Sequence, residues 1–244
     1  MQRSRNRDAG STTWSGQQAI KPLNSGLVVD GAQVMPVTSA RSLGVIIDCH
    51  LKMELHVRGV CARANFQLYR IGKIRRYLSE AAARTIVVGL VFSILDNNNS
   101  LLLGLPDELI DRLQKVQNSA ARLVLRAGKF DHVTPLLKRL HWLPIRSRIH
   151  FKVLVLAYRC LHGTAPSYLC NLVKWHCSAR EGLRSANLFL LEAKRSRLVG
   201  YGDRAFSCAA PRLWNLLPLD IRSAATLLSF RSKLKTHFFD LCFP

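Results

Sequence analysis

The chain has 244 residues, 48% of them hydrophobic and 21% charged, a balance that excludes wholesale disorder and suits one large domain or two small ones. Lys and Arg number 36 against 15 Asp and Glu, a formal net charge of +21 at pH 7. Such an excess strains a compact fold unless a polyanion screens it, so nucleic acid is the first partner to consider and an anionic membrane the second. The opening MQRSRNRDAGSTTWSGQQ has no apolar stretch, which predicts no secretory signal; Asp8 and the missing amphipathic rhythm argue against a transit peptide. The longest apolar run, Thr85 to Leu95, is too short for a bilayer, which takes about 20 residues. Seven irregularly spaced cysteines predict no disulfide framework and point to a reducing, intracellular setting, nucleus or cytoplasm.

Residues 1–24 are polar and aperiodic, and are expected to be a disordered tail. Residues 25–50 predict a β element. Asp30-Gly31 between two β-prone runs is a two-residue hairpin signal, because both turn positions need positive φ. A turn at Thr38 to Arg41 is followed by a third strand, Leu43 to Asp48.

Residues 51–173 predict a helical domain. Met53, Val57, Val60, Ala64, Leu68 and Ile71 recur at steps of three and four, one apolar stripe. Ser79 is a candidate N-cap for a second helix, Glu80 to Leu95, whose bulk predicts burial on most sides. Pro106, Asp107 and Glu108 open a third, with Ile110, Leu113, Val116, Ala120 and Val124 as its stripe and Gly128 as its stop. Thr134-Pro135 starts a fourth helix, Pro144 a fifth running to Gly163, and a short sixth follows Pro166. Residues 174–205 lose periodicity and read as a basic connector carrying Arg180, Arg184, Lys194, Arg195 and Arg197, with a candidate strand at Leu188 to Leu191. In 206–244, Trp214 and Pro218 mark a helix and its stop, and Phe230, Leu234, Phe238 and Leu241 stripe a final amphipathic helix. The class is mainly α with a small β element in front.

The cations follow helix faces. Arg63, Arg70, Lys73 and Tyr77 share one face of the first helix. Arg112, Lys115 and Arg122 lie off the stripe of the third, and Arg231 and Lys235 are one turn apart on the last. Rows of this kind match phosphates loosely and predict binding to RNA or a DNA–RNA duplex without sequence readout. The plainer reading of any one such row is a solvated face. Phe66, Tyr69 and Tyr77 interleave with Arg70, Arg75 and Arg76, and exposed rings there would stack bases. Core burial is the commoner fate of an aromatic at helical spacing and is the expectation for Phe66 and Tyr69, less so for Tyr77.

Other chemistry is sparsely represented. Two-metal phosphoryl transfer needs clustered carboxylates, and the sequence has no adjacent Asp-Asp pair. The Asp107, Glu108 and Asp111 cluster sits where a helix dipole favours acids. Cys160, His162, Cys170, His176 and Cys177 fit no zinc spacing well, a Cys–His nucleophile pair such as Cys177 with a distant His is one that any chain with eight histidines would permit, and no glycine-rich phosphate loop occurs. No metal or other cofactor is expected.

Several motifs, LGVIID, SILDNNNSLLLGLPDELIDRLQKVQNSAARLV, HVTPLLKRLHWLPIRSRIHFKVLVLAYRCLHGTAPSYL, LRS and YGDRAFSCAAPRLWNLLPLDIR, run colinearly from about Leu27 to the end. In this order they resemble the C-terminal part of non-LTR (LINE-type) retrotransposon reverse transcriptases, jockey-like clades among them. The resemblance implies that Leu43, Gly44 and Val45 match the primer-grip hairpin and that the helices after it form a thumb-like bundle holding the primer–template duplex. It assigns no chemistry to Trp214-Asn215. The family's Y/F-A-D-D metal motif, which precedes L-G-V, is not in this sequence. The resemblance therefore implies a chain that does not polymerise alone, magnesium belonging to the full-length family enzyme. Where the family reads S-R-L-D-Y-C-N-S-L-L, Ser93, Ile94, Leu95, Asp96, Asn97, Asn98 and Asn99 stand here, a departure that fits a decayed, truncated copy. The rival expectations are an inert relic or helical protein-interaction module without a nucleic-acid role, and an enzyme that takes its palm from another chain.

Overall fold

In the computed structural model, residues 27–176, 188–196, 198 and 200–244 are described. The polar tail, Cys177, Arg180, Arg184 and Arg197 lie outside them. The described chain is mainly helical, with two small β-hairpins in front of the helices.

Strands β1 (Leu27–Val29) and β2 (Ala32–Val34) pair antiparallel around Asp30-Gly31, whose φ values of 49° and 80° give the turn that the Asp-Gly pair favours. A second hairpin follows, β3 (Ser39–Ser42) with β4 (Val45–Asp48). This corrects two expectations: Thr38 to Arg41 is largely strand, and Leu43-Gly44, at φ 46° and 83°, is the turn rather than the start of a strand. Asp48 then ties the hairpin to the first helix, its carboxylate accepting backbone N–H bonds from His50 (3.0 Å), Lys52 (3.0 Å) and Met53 (2.7 Å). Burial pulls the Asp48 pKa upward, but these donors outweigh it and hold the group below its ordinary value.

Helix α1 (Glu54–Ile74) buries its whole expected stripe, from Met53 to Ile71. Ser79 caps α2 (Glu80–Val87) through the Ala82 N–H at 3.2 Å. The helical path then widens into a π turn, Val88–Phe92, before the short α3 (Ser93–Leu95). Val87 and Val91 are buried, but Val88 and Leu90 are exposed, so this stretch is amphipathic rather than buried on most sides. Helix α4 (Asp107–Leu125) buries Ile110, Leu113, Val116, Ala120 and Val124. Its stop is Arg126 in the left-handed region (φ 54°), two residues before the expected Gly128.

Helices α5 (Val133–Leu140), α6 (Ile145–Leu161) and α7 (Ser167–Cys170) follow as expected. Beyond the connector come α8 (Phe206–Asn215), α9 (Leu219–Arg222) and α10 (Leu227–Cys242). Phe230, Leu234 and Phe238 are buried along α10, whereas Leu241 is exposed.

Two apolar clusters share α6. One gathers β4, α1, α2, α4, α5 and the start of α6; the other gathers the later turns of α6 with α8, α9 and α10. The C-terminal helices therefore complete a core that α6 begins. Trp214 is fully buried there, stacked on Phe230 with ring centroids 5.5 Å apart. Its indole N–H donates to the Phe189 carbonyl (2.8 Å). Asn215 pairs with Leu191 as a neighbouring strand would, accepting from its N–H at 2.8 Å and donating to its carbonyl at 2.9 Å. Instead of a strand at Leu188 to Leu191, the described part of the connector forms a bridge, Trp175 to Leu191, and Phe189 and Leu191 are held by Trp214 and Asn215.

Arg204 links distant segments, donating to the carbonyls of Leu103 and Leu51, both at 3.1 Å. Gly104, at φ +70°, lets it pass: a Cβ there would lie 2.5 Å from the Arg204 Cγ.

Candidate nucleic-acid interface

The exposed face of α1 carries a ladder of cations over aromatic rings. The Arg70 guanidinium lies 6.0 Å from the Phe66 ring centroid and the Lys73 ammonium 5.0 Å from that of Tyr69, each pair one helical turn apart. In the 3₁₀ turn that continues α1, Arg76 lies 4.6 Å over Tyr77. The rings are 58%, 63% and 72% exposed, which overturns the expectation that Phe66 and Tyr69 are core. The apolar side of α1 is filled by smaller aliphatic residues, so these rings are left on the solvent side. Each cation–π contact at such a surface contributes about 0.5–1 kcal/mol. Arg63 lies on the same face, its Nε turned back to the Gly59 carbonyl at 3.3 Å.

The third-helix cations divide. Lys115 is exposed and forms no ion pair among the described residues. Arg112 lies 3.8 Å from Glu54, so part of its charge is answered within the fold. Arg122 is half-buried and donates to the Asp131 carbonyl (3.1 Å), and its buried Nε has no partner. Its task is the α4–α5 loop, where Asp131 in turn accepts from the Gly128 N–H (2.7 Å).

Arg75 and Arg126 are not free cations either. Helices α1 and α4 run side by side in the same direction: Arg112 on early α4 meets Glu54 at the start of α1, and Arg75 just past α1 meets the end of α4. Two negative dipole ends are thereby placed together. Arg75, buried, spreads its guanidinium over the carbonyls of Leu123 (2.9 Å), Val124 (2.6 Å) and Leu78 (2.7 Å). Arg126 adds longer bonds to the carbonyls of Arg75 and Arg76. Of the adjacent Arg75 and Arg76, only Arg75 continues the α1 stripe, four residues past Ile71, and it is the buried, structural one.

Leu43, Gly44 and Val45 are placed at a hairpin tip. Leu43 is 92% exposed, while Val45 is buried in the core that includes α1. The hairpin is seated on α1 by His56, whose Nδ1 accepts from the Ile46 N–H (3.4 Å). Burial, and secondarily Arg63, lower the His56 pKa and keep the ring neutral. Asn98 donates to the Leu43 carbonyl (3.2 Å) from the other side. Asn98 thus ties the hairpin tip to the segment after α3.

Arg231 and Lys235 sit exposed on α10 and border a cavity that contains no α1 residue, so the eight expected cations do not form one continuous face. The acidic cluster has a structural partner, Asp107 pairing with Arg146. Cys160 is buried beside Cys170, and burial first, then that neighbour, push its thiol up to about 11. Among the described residues, no three His, Cys, Asp or Glu side chains gather as metal ligands would. None of the described helices is long and apolar enough to cross a membrane. No family model, curated protein or solved structure matches the chain.

Proposed function

We propose that this chain binds RNA or a DNA–RNA duplex without reading sequence, through Arg63, Phe66, Tyr69, Arg70 and Lys73 on α1 and Tyr77 in the turn that continues it, with exposed Lys115 of the neighbouring α4 adding charge. The carrying observation is the row of exposed rings each shadowed by a cation, since rings left more than half exposed and cations that pair no acid among the described residues suit stacked bases and phosphates together. The excess of positive charge supplies long-range attraction that α1 focuses. In this reading the chain is a thumb-like, C-terminal portion of a LINE-type reverse transcriptase, with Leu43 at the tip of a primer-grip-like hairpin. It acts inside the cell, in nucleus or cytoplasm. It does not polymerise alone, because the sequence carries no paired aspartates to take up magnesium.

The test is a salt titration of binding to a structured RNA and to a DNA–RNA duplex, with the variant Arg70→Glu/Lys73→Glu alongside. Affinity should fall about 10³–10⁵-fold between 50 and 200 mM salt if 6–10 phosphates are engaged. The double variant should bind more weakly and with a shallower salt slope. Tyr69→Ala should cost single-stranded RNA about 1–3 kcal/mol, the scale of one stacked base. Affinity that ignores salt and the charge reversals would instead favour the inert or protein-interaction reading.

A further inference from the structure

Away from α1, three helices turn like charges into one cavity of about 440 Å³, inside the size range of small-ligand sites. Helix α2 brings Arg84, α6 brings Arg148 and Lys152, and α10 brings Arg231 and Lys235. The α6 and α10 pairs are each spaced i, i+4, an arrangement that destabilises a helix by about 0.2–0.5 kcal/mol when the charges are alike. Only Arg148 is answered, by a bidentate pair with Asp96, and it also lies 4.5 Å over the Phe92 ring. Arg84, Lys152, Arg231 and Lys235 are exposed and form no ion pair among the described residues.

Part of the wall of the same cavity has a different chemistry. Its wall includes the apolar side chains of Val88 and Phe151, with Val88 presented by the π turn. Asn99 lines it as well and is 97% buried, at 3% exposure. The Asn99 amide donates to Asp96 Oδ1 at 3.1 Å, which fixes its orientation and leaves Oδ1 as a buried acceptor with no donor. An unmade hydrogen bond of this kind costs about 1–3 kcal/mol. A ligand that repairs both defects carries an anion at one end and an N–H on a planar, largely apolar body at the other.

We propose that this cavity binds one nucleotide unit. Its phosphate is held by Arg84, Lys152, Arg231 and Lys235, and its base lies against Val88 and Phe151, with an N–H that reaches Asn99 Oδ1 once a small shift of the wall uncovers that sealed atom. The proposal rests on the nucleic-acid reading only for the source of that unit, a strand's 5′-terminal nucleotide. A free nucleotide offers the same chemistry.

The experiment titrates the full chain with the four ribonucleoside 5′-monophosphates, with inorganic phosphate and with the unphosphorylated nucleosides, followed by calorimetry. Wild type should bind at least one monophosphate at least tenfold more tightly than phosphate or its nucleoside. Arg231→Glu/Lys235→Glu and, separately, Lys152→Glu should each weaken it tenfold or more. The charge control Lys129→Glu/Arg195→Glu, on exposed residues outside the cavity, should leave it within twofold. Matching thermal melts confirm that the variants fold. Monophosphates that bind no better than phosphate, or equally well to the α10 variant and the control, overturn the proposal. A preference for 5′-phosphorylated over 5′-hydroxyl short RNA supports the proposal with the strand end as source, and equal binding supports it with the free nucleotide. If wild type binds long RNA but no monophosphate, the cavity proposal alone fails. If it binds a monophosphate but no RNA, the α1 interface fails and the cavity stands.

Discussion

Arg75 illustrates how one side chain settles a packing problem that neighbouring helices create. Its guanidinium answers three carbonyls where two helix ends of like dipole meet, and it is buried while doing so. Replacement by Leu leaves those carbonyls without their shared donor, and the expected loss of stability is about 3 kcal/mol by urea denaturation at neutral pH. Arg75→Lys should recover only part of that loss, because an ammonium cannot fan across three acceptors as a planar guanidinium does. Gln117 plays a neutral version of the same part. It is fully buried and donates to the Leu143 carbonyl at 2.9 Å, while its neighbour Gln114 accepts from the Ile145 N–H at 2.9 Å to open α6. Neither role was legible in the sequence. Gln117, four residues past Leu113, and Arg75, four past Ile71, continue the apolar stripes, so period marks both as buried, but the carbonyls they answer are known only from the fold.

At the level of elements, the second hairpin and α1 are coupled through a titratable contact. His56 accepts from the β4 backbone while neutral, and a protonated ring has no acceptor to offer there. His150 on α6 is likewise held below its ordinary value, by burial first and by Arg146 second. For both rings the unfolded chain binds the proton more readily than the fold does. Their contribution to stability is therefore complete above about pH 6.5 and is lost as pH falls from there toward the lowered folded-state values. The melting temperature should fall between pH 7 and pH 5, and His56→Gln should flatten part of that decline, as measured by circular dichroism across the range. The elements themselves were largely readable. Asp30-Gly31, Ser79, Pro106 and Pro144 marked turns and helix starts because each acts locally on the backbone. The exceptions coincide with tertiary contacts: Arg126, where α4 ends early, reaches the carbonyls beyond α1, and Val88 of the π turn lines the cavity.

For the whole molecule, charge repulsion and core burial oppose each other. Five ion pairs form among the described residues, one of them, Arg112 with Glu54, long, and the net +21 remains whatever the acids pair with. Screening should therefore stabilise the fold. The melting temperature is expected to rise from about 0.1 M to 1 M NaCl, as the Debye length contracts from about 10 Å to about 3 Å. A polyanion at low salt should raise it further by binding the folded form. A melting temperature unmoved by either would show that the cations are spaced too widely to repel.

What the sequence determined by itself was the helical class, the order of the elements, the apolar stripes and the surplus of positive charge. These follow from local backbone chemistry and from period, which each segment expresses on its own. The tertiary structure decided which cations remain free. It committed Arg75, Arg122 and Arg126 to carbonyls and kept the rings of Phe66 and Tyr69 outside. It also brought Arg84, Lys152, Arg231 and Lys235 around one cavity from three separate helices. A side chain's charge is written in its residue type, but whether that charge is answered depends on what the fold places beside it.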